Sequence, residues 1–425
     1  MGRRHGDWAS QESLIRRAQG LEPLLHAYVA FAEPVETPRG FLNGLPYAAK
    51  DIFAAPDRLP CGGLGVPLPS TDCGIADVLQ QLDDAGAIRV GYTALTEIAY
   101  EPSGHNPHGS PQNPWNPDFI CGGSSSGSAV AVASRSVVAA LGSDTGGSLR
   151  IPAQACGITA WKPTWGAVST RGAMPLAPTL DTIGLLTRDA ADIMKAATVL
   201  ANPRDEMVTS AVVIRDALAA AHPSVMKACR SGIDAIAAEE VEIEQRDGLA
   251  LIEACDEPVF TIMQGEAARC HRALLDGATI GATLRRRLAK GLEIDDATLA
   301  RAVARRPALA AAFVERVLQF AAVAILPVMA IRTPPVAECD PGSTTFRART
   351  LYELSRFTRF VNMIGFPAVA FPVGFDDRGL PVALQMVGRP GSDLGLLQLA
   401  TRVQRHIEWD GRMPDAVAAY QKAGS

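Results

Sequence analysis

What the sequence has little of narrows it first. Eight cysteines, Cys61, Cys73, Cys121, Cys156, Cys229, Cys255, Cys270 and Cys339, are scattered through 425 residues with no C-x-x-C pair among them. That spacing excludes the common zinc and dithiol motifs and points to reduced core residues, so no metal site is expected. Histidine is scarce as well: of seven, only His105 and His108 fall near the glycine-rich segments described below. Neither sign of charge dominates, with 40 Lys and Arg against 45 Asp and Glu for a net charge of -5. A chain without a basic surplus has no electrostatic reason to bind nucleic acid, and none is expected as a partner. The most apolar stretch, 309–331, is interrupted by Glu315, Arg316, Gln319 and Pro327. It cannot supply an uncharged membrane span. The opening residues carry Arg3, Arg4, Asp7 and Glu12 where a secretory signal needs an apolar core. The expectation is a cytoplasmic protein with no membrane contact.

What is present is a globular composition, 48% hydrophobic and 20% charged, with enough length for a large core. Residues 10–33 place Leu14, Ile15, Ala18, Leu21 and Leu25 at near-helical spacing, which predicts a helix pair. From Gly44 to Asp51 a short apolar run predicts a buried strand with Lys50 near its end. An amphipathic helix from Asp77 closed by Gly86, then a strand at 87–91, is the grammar of an α/β fold. Residues 129–140 read as an Ala/Val-rich buried helix. The stretch 204–349 reads as helical with charged faces, and 367–372 and 382–387 as strands completing the same sheet. No linker or repeat divides the chain, which predicts one α/β domain over 1–425. Its parts are N-terminal helices at about 8–40, a core at about 41–200, a helical middle at about 204–350 and a sheet completion at about 355–425.

Two glycine- and serine-rich loops flank the 129–140 segment: Gly122-Gly123-Ser124-Ser125-Ser126-Gly127-Ser128, and Gly142-Ser143-Asp144-Thr145-Gly146-Gly147-Ser148-Leu149-Arg150-Ile151-Pro152. Glycine lets backbone N–H groups come close to a ligand, so such loops can present donors to an oxyanion. Neither is followed by the Lys-Ser/Thr pair of a phosphate-binding loop. Ser148 also lacks the G-x-S-x-G context of a nucleophile elbow, though a Ser-His-Asp arrangement through His105 or His108 stays open. The serines have a plainer use as N-caps of the following helix. Lys50 has a plainer use too, as the partner of Asp51 or another carboxylate.

Taken together, the two loops match the pattern of the amidase signature family from Gly122 through Pro152 without a break. Leu45-Pro46-Tyr47-Ala48-Ala49-Lys50-Asp51 resembles that family's lysine motif. Lys162-Pro163-Thr164, Leu180-Asp181-Thr182-Ile183-Gly184 and the segment from Gly379 to Gly388 are similar to other parts of it. The resemblance implies a single α/β/α domain around a large twisted mixed sheet and hydrolysis of an amide or ureide C–N bond without a cofactor. It implies Ser148 as nucleophile, Ser124 as a bridging serine after a cis peptide bond, and Lys50 as base. The backbone N–H groups of Thr145, Gly146, Gly147 and Ser148 are then the candidate oxyanion donors. Ser125, Asp144 and Arg150 are expected to support the loops, with Arg150 either pairing with Asp144 or facing the substrate. Lysine can act as a base only when neutral, which requires lowering an ordinary pKa near ~10.4 by roughly 3.

Three departures stand out: Cys121 where the family commonly has proline, Tyr92 for lysine and Ala160 for glycine. Tyr100, Trp161, Met174, Met263, Phe346 and Phe360 are candidates to line the pocket. The expected partner is a small-molecule amide, and a homodimer is compatible with the resemblance. The alternative is a glutaminase-type component of a transamidation complex that passes ammonia to a partner protein. A non-catalytic binding module is disfavoured because Lys50, Ser124 and Ser148 are all present.

Overall fold

Along the buried strands of this protein, side chains alternate between two cores. Tyr47 and Ala49 pack into one core and Ala48 into the other; Ala139 and Leu141 face the first and Ala140 the second. This period of two, buried on both faces, is the signature of a sheet covered on both sides by helices. A computed structural model describes residues 10–33, 40–68, 74–201, 207–277, 280–407, 409 and 412–423. Cys73 and the charged opening residues Arg3, Arg4 and Asp7 lie outside them.

Eleven strands form one mixed sheet: β1 (Tyr28–Phe31), β2 (Pro46–Lys50), β3 (Ile88–Thr93), β4 (Ala139–Asp144), β5 (Thr159–Lys162), β6 (Thr182–Thr187), β7 (Ser210–Ile214), β8 (Glu242–Arg246), β9 (Val323–Pro327), β10 (Ala368–Phe375) and β11 (Pro381–Gly388). Their order is β1-β3-β2-β4-β6-β5-β10-β11-β9-β7-β8. β2 runs parallel to both β3 and β4, whereas β10 and β11 pair antiparallel in the middle. This is the α/β/α arrangement that the family resemblance implies, and the α/β pattern read from the residues is part of it.

One face is covered by α2 (Asp77–Asp84), α5 (Ala190–Leu200), α6 (Pro223–Ala237) and α10 (Asp393–Ile407), which bury residues such as Leu79, Ile193, Val225 and Leu399 in the first core. The other carries α1 (Gln11–Leu25), α3 (Ser126–Ala133) and α4 (Arg150–Cys156). Beside these, α7 (Asp256–Cys270), α8 (Ala282–Gly291) and α9 (Arg359–Ile364) build the rim above the site. All eight residues of α3 are buried, as its all-round apolar composition requires.

Several boundaries differ from the sequence reading. The predicted helix pair at 10–33 is one helix, α1, and one strand, β1; helical periodicity ends at His26, whose φ of 51° closes the helix. The predicted helix at 129–140 stops at Ala133, because Arg135 turns the chain at φ 61° and residues from Ala139 belong to β4. The middle region holds three strands as well as helices: β7, β8 and β9 extend the sheet, and the exposed, charged β8 forms its edge. A charged edge strand hides its period from a composition reading and also discourages edge-to-edge pairing. Of the described cysteines, Cys121, Cys156, Cys229, Cys255 and Cys339 are buried, Cys61 is half-buried and Cys270 is exposed.

Candidate active site

Because β2 and β4 are parallel, their C-terminal ends lie side by side, and these ends carry Lys50 and Asp144. A crevice beyond the carboxyl ends of parallel strands is where open α/β sheets place their ligands. Lys50 follows the parity of Ala48, so its side chain goes to the face occupied by α3 and α4. There its Nζ lies 2.7 Å from Ser124 Oγ, 3.0 Å from Ser125 Oγ and 2.9 Å from Ser143 Oγ. No carboxylate pairs with it among the described residues; Asp51 is held instead by Arg58 at 3.0 Å. Burial pushes the Lys50 pKa down to about 7, against an upward pull from Asp181 and Asp144.

Three hydroxyls can meet the amine in either form, since an ammonium offers three N–H donors and a neutral amine two donors and one lone pair. Ser125 Oγ donates to Ser143 O at 3.2 Å, so toward Lys50 it accepts. Lys50 Nζ is placed to donate to all three hydroxyls; once it is neutral, one of Ser124 and Ser143 can turn its proton toward the lone pair. Such a group can take a proton from Ser124 without first breaking an ion pair.

Ser124 follows a cis Gly123–Ser124 peptide bond, and the first loop is tied to the second by Ser125 N donating to Ser148 O at 3.2 Å. Lys50 and Ser124 are fully buried, while Ser148 keeps 9% of its surface, so Ser148 is the member of the set that a ligand can reach. The serines do not cap α3 through their side chains. The Ser124 and Ser125 hydroxyls serve Lys50 instead, and Ser128 Oγ donates to Leu141 O in β4 at 2.9 Å.

Asp144 and Arg150 form a fully buried pair, with Arg150 Nη2 3.0 Å from Asp144 Oδ1 and Nε 3.1 Å from Oδ2. Arg150 also donates to Gln385 at 3.0 Å and Asn362 at 2.8 Å. It is therefore built into the scaffold and does not face the substrate pocket. Burial pushes the Asp144 carboxyl up, but Arg150, Lys162 and the Asn362 amide outweigh it and hold the pKa at about 2. The Gly147 N–H is committed to Asp144 Oδ1 at 2.8 Å, which removes it from the four candidate oxyanion donors and leaves Thr145, Gly146 and Ser148. On the other side of the same peptide plane, Thr358 Oγ1 donates to Gly146 O at 2.7 Å.

A pocket of about 720 Å³, counted with its open mouth, lies over Thr145, Gly146 and Ser148. Ile151, Leu176, Phe260 and Met263 make its wall largely apolar. Of the aromatic and methionine candidates, Tyr100 and Met263 line it. Trp161 and Phe360 are fully buried in the core, and Met174 and Phe346 pack against the hydrophobic clusters behind the wall without lining it. His105 lines an adjoining outer cavity, and both His105 and His108 lie beside carboxylates, Asp340 at 3.8 Å and Glu97 at 3.9 Å.

Ser143, Asp181, Asn362, Gln385 and Thr358 join the site without having been marked by sequence reasoning. Ser143, Asp181 and Gln385 stand inside the segments quoted above, so a signal was present; Asn362 and Thr358 come from positions more than 200 residues away from their partners in the loop. Asp181 accepts from Thr145 Oγ1 at 2.6 Å and from the Leu176 and Ala177 N–H groups at 2.9 and 3.0 Å.

The family model described as Amidase matches residues 23–257 and 261–397. The chain belongs to the amidase family. Enzymes of this family act on C–N amide bonds, and this amidase is similar to solved and curated members over nearly its whole length. A crystal structure described as an amidase is 30% identical with a TM-score of 0.82, over 94% of this chain and 96% of that one. A glutamyl-tRNA(Gln) amidotransferase subunit of Thermosynechococcus vestitus is 31% identical over 95% of both chains. The protein of the same name from Chloroflexus aggregans is 30% identical over 95% of this chain and 87% of its own. A 6-aminohexanoate cyclic dimer hydrolase, 20% identical with a TM-score of 0.82 over 96% of this chain and 95% of that one, shares the fold. Among the described residues no helix is long and apolar enough to cross a membrane, and no cluster of His, Cys, Asp and Glu could hold a metal ion.

Proposed function

We propose that this amidase hydrolyses a small-molecule amide through an acyl-enzyme on Ser148, with Ser124 as proton relay and Lys50 as base. The observation that carries this reading is the Lys50 amine, buried among three serine hydroxyls with no carboxylate partner among the described residues. A serine hydroxyl is a weak nucleophile until a neighbouring base takes its proton. As Ser148 Oγ bonds to the amide carbon, its proton passes to Ser124 Oγ while the Ser124 proton passes to Lys50 Nζ. The carbonyl oxygen becomes an oxyanion, which the N–H groups of Thr145, Gly146 and Ser148 are the candidates to meet. Each such donor is worth roughly 3 to 4 kcal/mol. Collapse breaks the C–N bond, and the Lys50 ammonium returns its proton through Ser124 to the leaving nitrogen. Water then attacks the ester by the same relay in reverse, releasing a carboxylate and regenerating Ser148. Asp144, Arg150 and Ser125 hold the loops in register.

A second reading is favoured by the names of the curated relatives: a glutaminase-type component of an amidotransferase whose ammonia passes to a partner protein. The largely apolar wall of the pocket supports the first, since free glutamine would bring its ammonium group, with no uncommitted carboxylate among the described lining residues to meet it, against Phe260, Met263 and Leu176. Assaying the purified chain alone for ammonia release, with glutamine and with neutral and acidic primary amides, separates the two. Turnover of small amides without a partner, lost by about 10⁴-fold or more in Ser148→Ala, is the expected result. Turnover of glutamine alone, and only with a partner added, would replace it with the second reading. Undiminished activity in Ser148→Ala would overturn both.

A further inference from the structure

Resting on the amide-hydrolase reading, we infer that the preferred substrate carries a carboxylate at the end remote from its amide, and that Arg287 binds it. Arg287 stands on α8 where two cavities meet: the pocket over Ser148, and an outer cavity of about 1230 Å³ counted with its open mouth. It is half-buried, its guanidinium 5.5 Å from the centre of the Tyr100 ring. Among the described residues it donates a single hydrogen bond, Nη1 to Tyr100 O at 3.2 Å, and belongs to no ion pair. One arm is thereby anchored, and the Nε and Nη2 donors are left for a planar anion, which a guanidinium meets with two parallel bonds.

The other charged groups around the pocket are already committed. Arg359 donates through Nε and Nη2 to Asp256, each at 2.7 Å, and through Nη1 to Tyr352 O and Ser355 Oγ. Glu101 accepts from the Ser103 N–H and hydroxyl and from the Gly104 N–H, and Glu97 from the Gly281 N–H at 2.7 Å. Arg287 is thus the cation that both cavities share without a paired carboxylate. Between it and Ser148 lies the apolar wall of Ile151, Leu176, Phe260 and Met263. An aliphatic or aryl spacer would cover that wall, with the amide at Ser148 and the carboxylate at the rim.

The test compares a series of ω-amido acids, from succinamic to adipamic acid, with the uncharged n-alkanamides of the same length. In the unaltered protein at least one acid should exceed its neutral counterpart roughly 10-fold in kcat/KM, chiefly through KM. Arg287→Gln should lower that ratio by roughly 10- to 100-fold, the range of a charge-assisted hydrogen-bonded pair, and Arg287→Lys should restore part of it. Calorimetric binding of the same acids to Ser148→Ala, with and without Arg287→Gln, reads the anion site independently of turnover. A ratio unchanged within 2-fold, and acid binding indifferent to Arg287, would overturn the inference while amide turnover still upheld the amidase reading. Arg287-dependent binding without turnover of any amide would leave the anion site standing and remove the chemistry assigned to Ser148.

Discussion

Lys50 is the residue on which the proposed chemistry turns, because only its deprotonated form can accept a proton. Burial pushes its pKa to about 7, so the base fraction grows as pH rises toward that value and saturates above it. The expected kcat/KM profile falls tenfold per pH unit below about 7 and is flat from about 8 upward. Asp181 pulls that pKa upward, and replacing it with Asn removes a charge that favours the ammonium. The acid limb in Asp181→Asn should therefore move to lower pH. A pH profile measured on one neutral amide checks both statements, and a limb that stays in place in Asp181→Asn would show that the carboxylate does not reach Lys50 electrostatically. The proposed trio of Lys50, Ser124 and Ser148 stands out in the sequence because each member sits in a short local motif. Arg287, Arg359 and Thr358 were not legible, since nothing local to them marks what the fold brings near. Gly147 was legible as a loop glycine, yet its N–H proved to be spent on Asp144.

Helix α3 does its work by lying unusually close to the sheet. A Cβ built on Gly127 would come within 2.3 Å of Ala27 O and 2.5 Å of Ala94 N, both backbone atoms, and the Gly127 N–H itself donates to Ala94 O at 2.9 Å. Backbone cannot give way as a flexible side chain does, so Gly127→Ala must lift the N-terminus of α3 away from the end of β3. The cost expected of such overpacking is about 1–3 kcal/mol. The same lift carries Ser124 and Ser125 away from Lys50, so activity should fall further than stability alone accounts for. Denaturant titration and kcat on the folded fraction measure the two effects separately; a variant as stable and active as the parent would mean the helix can shift without moving the serines. Sequence reading found this helix but ran it seven residues too far, into β4. Ala and Val are compatible with a buried helix or a buried strand, and only the turn at Arg135 decides between them. The charged strand β8 escaped for the opposite reason, having almost no apolar residues to show a period.

At the scale of the whole molecule, the mixed sheet gathers cationic groups that water would otherwise hold protonated. Lys162 is as buried as Lys50, with its Nζ donating to Pro163 O at 2.7 Å. Burial, then Arg150, lower its pKa to about 7, while Asp144 and Asp393 oppose them. Between that value and the ordinary 10.5 of an unfolded lysine, the unfolded chain binds a proton that the folded one does not. Stability therefore rises with pH across this window, by about 1.4 kcal/mol per pH unit for each such lysine. Glu22, raised to about 7 by burial, acts in the opposite sense but below that pH. The buried cysteines are pushed above their ordinary range by burial, so near pH 9 they ionise first in the unfolded chain and lower stability as pH rises. Unfolding free energy measured by denaturant between pH 7.5 and 8, below the onset of cysteine ionisation, should thus climb under the control of Lys50 and Lys162. Lys162→Met keeps the bulk and removes one titrating group, so its slope over the same interval should be about half the parent's. Equal slopes in the two proteins would mean that Lys162 stays an ammonium inside the fold. The Arg150 and Asp144 pair would then be sharing its site with a third fixed charge.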